Sequence, residues 1–319
     1  MNIIDQVLRR QEFVDRPPVF VDVGASGELH DAWRKIAKYS VCIAFDADDR
    51  EMDYIVAESD IYKKLYIYKR VLTAGPESQV DFYLTKSPYC SSTLPADEKK
   101  LRQWAFSDLF IFEKTVKLKS TNLAKVLDEL QLDRIDWFKT DSQGTDLRLF
   151  AGLDESIIHN VLVAEFEPGI IDAYQGEDKL WKLMSYMDSH DFWMTDIDIK
   201  GSQYITKDIF SKLSKTEKKY LPFLIKTAPG WGEVCYLNSF NVDHTLRDYL
   251  LGWVFAFIKR QYGFAYRLAA EGSEKYKDPI FQKLMDQALV RIRITYPKLL
   301  GCFLRRVARK LLNALEVRA

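Results

Sequence analysis

Cysteine and histidine are both scarce. The four cysteines, Cys42, Cys90, Cys235 and Cys302, stand far apart with no C-x-x-C pair, which argues against a zinc site and against a secreted disulfide framework. A reducing compartment fits that usage. His30, His159, His190 and His244 lack the spacing of transition-metal ligands, so no resident metal is expected. Long apolar runs are missing too: the longest, residues 250–258 (LLGWVFAFI), falls well short of the ~20 residues that span a bilayer. The opening stretch MNIIDQVLRRQEFVDR carries acids and no continuous apolar segment, so neither a signal nor a transit peptide is predicted, and the cytoplasm is the expected location. Formal charge sums to +0. With no basic stripe before residue 240 and no recognisable RNA-binding aromatic box, no nucleic-acid partner is expected.

Hydrophobic residues make up 47% of the 319-residue chain, enough for one α/β domain with an appendage. Strand-like apolar runs alternate with amphipathic patterns, the signature of stacked β-α-β units. Strands are predicted at 19–24, 41–46, 69–74, 135–141, 161–167, 192–198 and 233–238, their apolar character implying burial on both faces. HDAWRKIAKY, TNLAKVLDEL and EDKLWKLMSYMDSH are predicted crossover helices, the second capped by Thr121 or Asn122. Residues 80–116 break the alternation with an extended run, a Ser-rich turn and a short charged helix, read as an insertion over the sheet's carboxyl edge. Beyond Asn241 three helical stretches follow (about 243–270, 278–295 and 297–315), separated at Gly272-Ser273 and Pro297. The expected fold is therefore a doubly wound, mainly parallel seven-stranded Rossmann-like sheet (1–240) with a C-terminal helical appendage (241–319).

The chemistry is expected where the first strand ends. VFVDVGASGE is an apolar strand running into Gly24, Ala25, Ser26 and Gly27, small residues that let a ligand approach the backbone. Asp22 lies two residues before Gly24, and Asp46, followed by Asp48, ends the next strand, where an acid can accept both ribose hydroxyls of a nucleoside. The G-x-G-x-x-G spacing of a dinucleotide site is absent, and Asp22 and Glu28 would repel a pyrophosphate. S-adenosylmethionine carries a sulfonium cation and no phosphate, so the acids favour it as cofactor.

Four blocks in order, FVDVGASGELHDAW, AFDADDR, IDWFKTDSQGTDLRLFAGL and VLVAEFEPGIIDAYQGEDKLWKLM, resemble the FkbM family of class I S-adenosylmethionine-dependent methyltransferases over residues 17–200. The resemblance implies a donor-binding turn at Gly24–Gly27, a ribose-binding acid at Asp46, and methyl transfer to an oxygen. Methylating a sugar or other alkyl hydroxyl calls for a base that takes its proton. Asp141, Glu165 and Glu167, at the ends of the fourth and fifth strands, are the candidates, with His30 as a further one. Three of them have a plainer role open: Asp141 as a helix cap, Glu165 as a partner of Lys139, His30 near the start of the following helix. The three acids could also hold Mg²⁺, with the metal-free reading preferred. Ser91, Ser92 and Thr93 are expected to line the acceptor pocket, and Tyr89, Trp104 and Tyr174 to stack on a sugar or glycan acceptor.

Two other readings stand beside this one. Glu28 and the long tail suit a non-catalytic scaffold that binds donor or partner. The tail itself is basic, with Arg291, Arg293, Lys298, Arg305, Arg306, Arg309, Lys310 and Arg318 facing only Glu316. Residues 297–315 are expected to dock an apolar side on the protein, or else to make a peripheral contact with an anionic membrane.

Overall fold

The structure is a computed structural model that describes residues 2–24, 32–46, 61–293 and Leu304. Ala25, Ser26, Gly27, Glu28, His30, Asp48 and the 297–315 helix, Leu304 apart, lie outside the described residues. Two short helices, α1 (Ile3–Leu8) and α2 (Gln11–Asp15), precede β1 (Val19–Val23), β2 (Val41–Phe45), β3 (Lys64–Tyr68), β4 (Val71–Leu72) and β5 (Gln79–Thr85). Next come α3 (Glu98–Leu101), β6 (Phe112–Thr121), α4 (Leu123–Glu129), β7 (Trp137–Thr140), α5 (Asp146–Ala151), α6 (Glu155–Asn160) and β8 (Val163–Phe166). The series continues with α7 (Leu180–Asp188), β9 (Phe192–Ser202), α8 (Lys207–Lys212), α9 (Lys215–Leu224) and β10 (Ala228–Asn238). Helices α10 (Leu246–Ile258), α11 (Tyr262–Tyr276) and α12 (Ile280–Ile292) close the sequence of elements.

Seven strands form one sheet in the order β3-β2-β1-β7-β8-β10-β9. Neighbours from β3 to β8 run parallel, and β10 is antiparallel to both β8 and β9. The fold is α/β with a mostly parallel sheet, compatible with a Rossmann-like architecture. Chain order runs outward from β1 to β3 and then restarts at β7 on β1's other side. That reversal leaves a crevice beyond the carboxyl ends of β1 and β7, where open α/β sheets bind ligands. A second, three-stranded sheet (β4-β6-β5) belongs to the 80–116 insertion and its flanks.

Side chains from β1, β2, β7 and β8 alternate between two buried faces. Val21, Ile43, Phe138 and Phe166 share one core with Val126 of α4, Phe150 of α5 and Leu183 of α7. On the other face Phe20 stacks on Trp33 at 4.9 Å and meets Trp137 edge-on at 6.1 Å. At the sheet's amino edge the fully buried Asp136 accepts from Val19 N (2.8 Å), Arg134 Nε (3.0 Å) and both Arg247 terminal nitrogens (2.8 Å each). Burial pushes the Asp136 carboxyl up, but the Arg247 and Arg134 charges outweigh it and hold the pKa below the ordinary value. A charge so fully paired pins the start of β7 to β1.

Four sequence-based expectations are corrected. Of the run predicted at 69–74 only Val71–Leu72 is a strand, in the small sheet, whereas β3 forms from Lys64–Tyr68, a half-exposed edge strand whose short apolar run is flanked by lysines on both sides. HDAWRKIAKY contains two tight 3-10 turns, Trp33–Lys35 and Ala37–Tyr39, in its described part. Trp33, Ile36 and Ala37 still turn inward as their spacing requires. β9 is not buried on both faces, since Ile197 and Ile199 on this edge strand are exposed. Gly272-Ser273 does not separate helices but lies inside α11, because a side chain at Gly272 would come within 2.4 Å of the Phe281 ring. The break in the 243–270 stretch falls instead at Arg260, in the left-handed region at φ 62°. Asn122, one of two candidates, caps α4 by accepting from Lys125 N at 2.9 Å.

The chain divides into two compact units, Met1–Leu251 and Gly252–Ala319. Within the second, α11 and α12 pack as a helical pair through Gly272 and Phe281. No helix among the described residues is long and apolar enough to cross a membrane.

Candidate functional site

At the end of β1 the backbone turns at Gly24, φ 74°. Its N–H donates to Phe45 O (3.0 Å), and Asp141 N donates to Val23 O (3.0 Å), so the ends of β1, β2 and β7 are tied together. A Cβ at Gly24 would stand 2.3 Å from the Asp141 carbonyl oxygen. Only glycine fits there, on space as well as on φ. A cavity of about 140 Å³ opens over this turn, bordered by Gly24, Asp46, Arg70, Leu72, Ser91 and Asp141. Three of the expected site residues, Gly24, Asp46 and Asp141, are thereby brought together.

Asp22 and Glu165 are not. In register across three strands, Asp22, Lys139 and Glu165 form a row on one face of the sheet. Lys139 Nζ donates to Asp22 Oδ1 at 2.8 Å, and Trp137 Nε1 donates to Glu165 Oε2 at 3.3 Å. Burial works against the Lys139 ammonium, yet the Asp22 charge and hydrogen bond, with Asp141 and Glu165 nearby, keep its pKa above the ordinary value. Lys139 and Asp22 pair inside the protein. Glu165 borders neither the cavity above nor the one described next.

The turn after β7 is shaped by a residue to which the sequence reading gave no role. Asp146 Oδ1 accepts from Thr140 Oγ1 (2.9 Å), Ser142 N (2.8 Å) and Ser142 Oγ (2.6 Å), while its Oδ2 accepts from Glu167 N (3.0 Å). One buried carboxylate thus locks the ends of β7 and β8 together. Gln143 and Gly144 take left-handed backbone, φ 57° and 102°. The Gln143 amide donates to Asp141 Oδ1, and its Oε1 faces the Tyr174 hydroxyl at 2.8 Å, which also lies 3.0 Å from Cys90 O. Asp141 is no helix cap: the α5 cap position is Thr145, without a side-chain cap bond. The signal for Asp146 was an acid in the first helical turn directly after a Gly-containing strand-to-helix bend.

Beyond Asp141 lies a second cavity of about 410 Å³, bordered by Asp141, Gln143, Glu167, Tyr174, Glu177 and, from outside the strand ends, Phe106, Phe110 and Trp231. Phe106 meets Trp231 edge-on at 6.2 Å, and Phe110 meets Tyr174 at 5.6 Å. Its described lining includes no lysine or arginine. Glu177 is neutralised by Lys179 at 2.6 Å and accepts from Ala173 N at 2.9 Å. Of the expected acceptor residues, Tyr89 borders both cavities and Tyr174 the second; Ser91 and Thr93 border the first. Ser92 is buried and donates to Gln143 O at 2.7 Å, and Trp104 stacks on Phe106 at 6.0 Å without lining either space.

The two open carboxyls are electrostatically distinct. Burial, then the neighbouring Asp146 charge, raises Asp141 to about 6, while Lys139 and the Gln143 bond restrain it. Burial, then the charges of Asp141, Glu233 and Asp146, raises Glu167 to about 8. Near neutrality the first is mostly a base and the second mostly an acid, a split of roles that buried carboxylate pairs commonly support. The trio Asp141, Glu165 and Glu167 is not gathered, and no cluster of three acid, cysteine or histidine side chains suited to a metal ion occurs among the described residues.

These features define an α/β protein with a ligand crevice at the carboxyl edge of its sheet. No protein-family model matches the chain, and no curated protein sequence matches it.

Proposed function

We propose that the chain is an S-adenosylmethionine-dependent O-methyltransferase acting on a hydroxyl of a sugar, glycan or related small metabolite. The observation that supports it is the meeting of two cavities at Asp141, one beside Gly24 and Asp46, the other aromatic and without a described cation. The residues of the first suit the donor: Asp46 can accept from ribose hydroxyls, Gly24 offers bare backbone, and Asp141 tolerates a nearby sulfonium. The sheet, with its reversal between β1 and β7 and its antiparallel β10, fits the class I fold that the resemblance implies.

When bound, S-adenosylmethionine supplies a methyl group already activated on sulfur. What is left to the protein is alignment and a proton. Asp141 takes the hydroxyl proton as the acceptor oxygen attacks, its pKa of about 6 leaving it ionised at neutral pH yet basic enough to accept. Glu167, protonated at that pH, donates a hydrogen bond that orients the acceptor. Phe106, Trp231 and Tyr174 offer ring faces to the apolar side of a sugar. A lining with the ionised Asp141 and no described lysine or arginine disfavours phosphorylated or carboxylated acceptors.

Calorimetry with S-adenosylmethionine and its demethylated product, followed by labelled-methyl transfer to neutral sugars and their phosphorylated counterparts, tests this reading. Donor binding with transfer confined to neutral acceptors is expected. Donor binding without transfer to any acceptor would leave the scaffold reading in its place. Failure to bind the donor would refute both.

A further inference from the structure

Between β9 and β10 the chain carries α8 and α9, and α9 ends in Pro222-Phe223-Leu224, with Ile225 following it. Phe223 is 83% and Leu224 69% exposed, with Ile209 and Tyr220 about half exposed nearby. Large apolar side chains this open, side by side, mark a contact surface. Leu221 is buried and sets the inner side of the helix. At about 100° per residue, Phe223 stands opposite Leu221, Leu224 lies about 100° round from Phe223, and Lys219 lies one turn before Phe223, while Ile225 continues in extended backbone.

Two further features say what covers this tip. Consecutive apolar residues pointing in several directions do not offer one flat face to a rigid partner, whereas a fluid apolar phase closes around all of them. The charge is also one-sided: with Lys207 paired to Asp108, Lys212, Lys215, Lys218, Lys219 and Lys226 still outnumber Asp208 and Glu217. Lys218 and Lys219 hold their ammonium groups over the Phe210 and Tyr220 rings, at 4.9 and 5.7 Å, so cation and apolar ring lie together on the same tip.

We propose that the α8–α9 arm is a membrane-surface anchor, with Phe223 and Leu224 entering the interface of an anionic bilayer and the lysines meeting its headgroups. The root of the arm is tied to a wall of the second cavity. Lys207 pairs with Asp108 at 2.7 Å, Ala105 N donates to Gln203 O at 3.1 Å, and Trp104 meets Tyr204 edge-on at 5.2 Å. Residues 106, 109 and 110 of that segment border the cavity. Anchoring therefore brings the cavity wall to the lipid surface, and it stands whether or not the methyltransferase reading does.

Co-sedimentation of the full-length chain with vesicles of phosphatidylcholine alone, or with a third of phosphatidylglycerol, tests it at low and physiological salt. Binding is expected only to the anionic vesicles, weakening with salt. Phe223→Ser with Leu224→Ser should reduce it at least tenfold. Lys218→Glu with Lys219→Glu should reduce it further, each lysine near the surface counting for about fivefold. All four residues lie outside the core, so circular dichroism and thermal midpoint should match the parent chain. Absence of binding by the parent chain, or undiminished binding by the Phe223/Leu224 variant, would overturn the proposal and direct attention to another surface or a protein partner.

Discussion

Replacing Asp141 with asparagine separates a reacting carboxylate from a structural one by the direction in which stability moves. The carboxyl titrates at about 6 in the folded chain against an ordinary 3.8. With the folded-state pKa raised, stability is full below about 3.8 and declines as pH rises through about 6. The gap corresponds to at most about 3 kcal/mol. Because Asp141 is half-buried and borders both cavities, water screens part of this, and about 1–3 kcal/mol is the expected loss at pH 8. Asparagine keeps an oxygen for the Gln143 amide and carries no charge, so Asp141→Asn should be more stable than the parent by that amount at pH 8, the two converging toward pH 4. Loss of a helix cap would act in the opposite direction, by about 0.5–2 kcal/mol. Urea unfolding followed by tryptophan fluorescence at pH 4.5, 6 and 8 measures the difference, and turnover in the same variant should fall ~10² to 10⁴-fold. A variant less stable than the parent at pH 8, or a difference that does not vary with pH, refutes the assignment.

Three other outcomes are expected. Asp46→Ala should weaken donor binding by about 1.5–3 kcal/mol in calorimetry, the usual worth of hydrogen bonds to a charged group, with unchanged affinity excluding it from the site. In Glu167→Gln the acidic limb of the activity profile should stay near pH 6, because Glu167 is protonated there and carries no charge that would shift Asp141; a limb that moves by a full pH unit would show otherwise. Gly24→Ala should lower the urea midpoint and displace the β7 turn, since its Cβ has only 2.3 Å to the Asp141 carbonyl; an unaltered midpoint would contradict the geometry.

The sheet's interior was legible because β1, β2, β7 and β8 are mainly apolar, with a single charge inside each of β1, β7 and β8, and such density is what burial on two faces demands. Lys64–Tyr68 escaped because its apolar run, Leu65 to Tyr68, is short and set between Lys63-Lys64 and Lys69-Arg70. The site was half legible, for a reason visible in three pairs. Asp22 and Gly24, Lys139 and Asp141, and Glu165 and Glu167 are each two residues apart, so a strand's period places both members of a pair on one face. β1, β7 and β8 end at Val23, Thr140 and Phe166. The first member of each pair stays in the sheet as internal structure, and the second leaves it to border a cavity. Where a strand stops by one residue decides this, and apolar periodicity does not resolve a single residue. The aromatic wall of Phe106, Phe110 and Trp231 was out of reach for another reason: its members come from the insertion and from the start of β10, far apart in sequence, and only the fold assembles them.

The two cavities differ in what builds them. The first rests on the ends of β1, β2 and β7, where a glycine backbone touches a carbonyl, and such a framework tolerates little change. The second is walled largely by the 80–116 insertion and by loops around β8, β9 and β10, where substitutions and length changes cost little. Descendants of this chain can therefore exchange one chamber's contents while inheriting the other intact. Tyr89, Asp141 and Gln143, common to both linings, are the positions at which such divergence has no freedom.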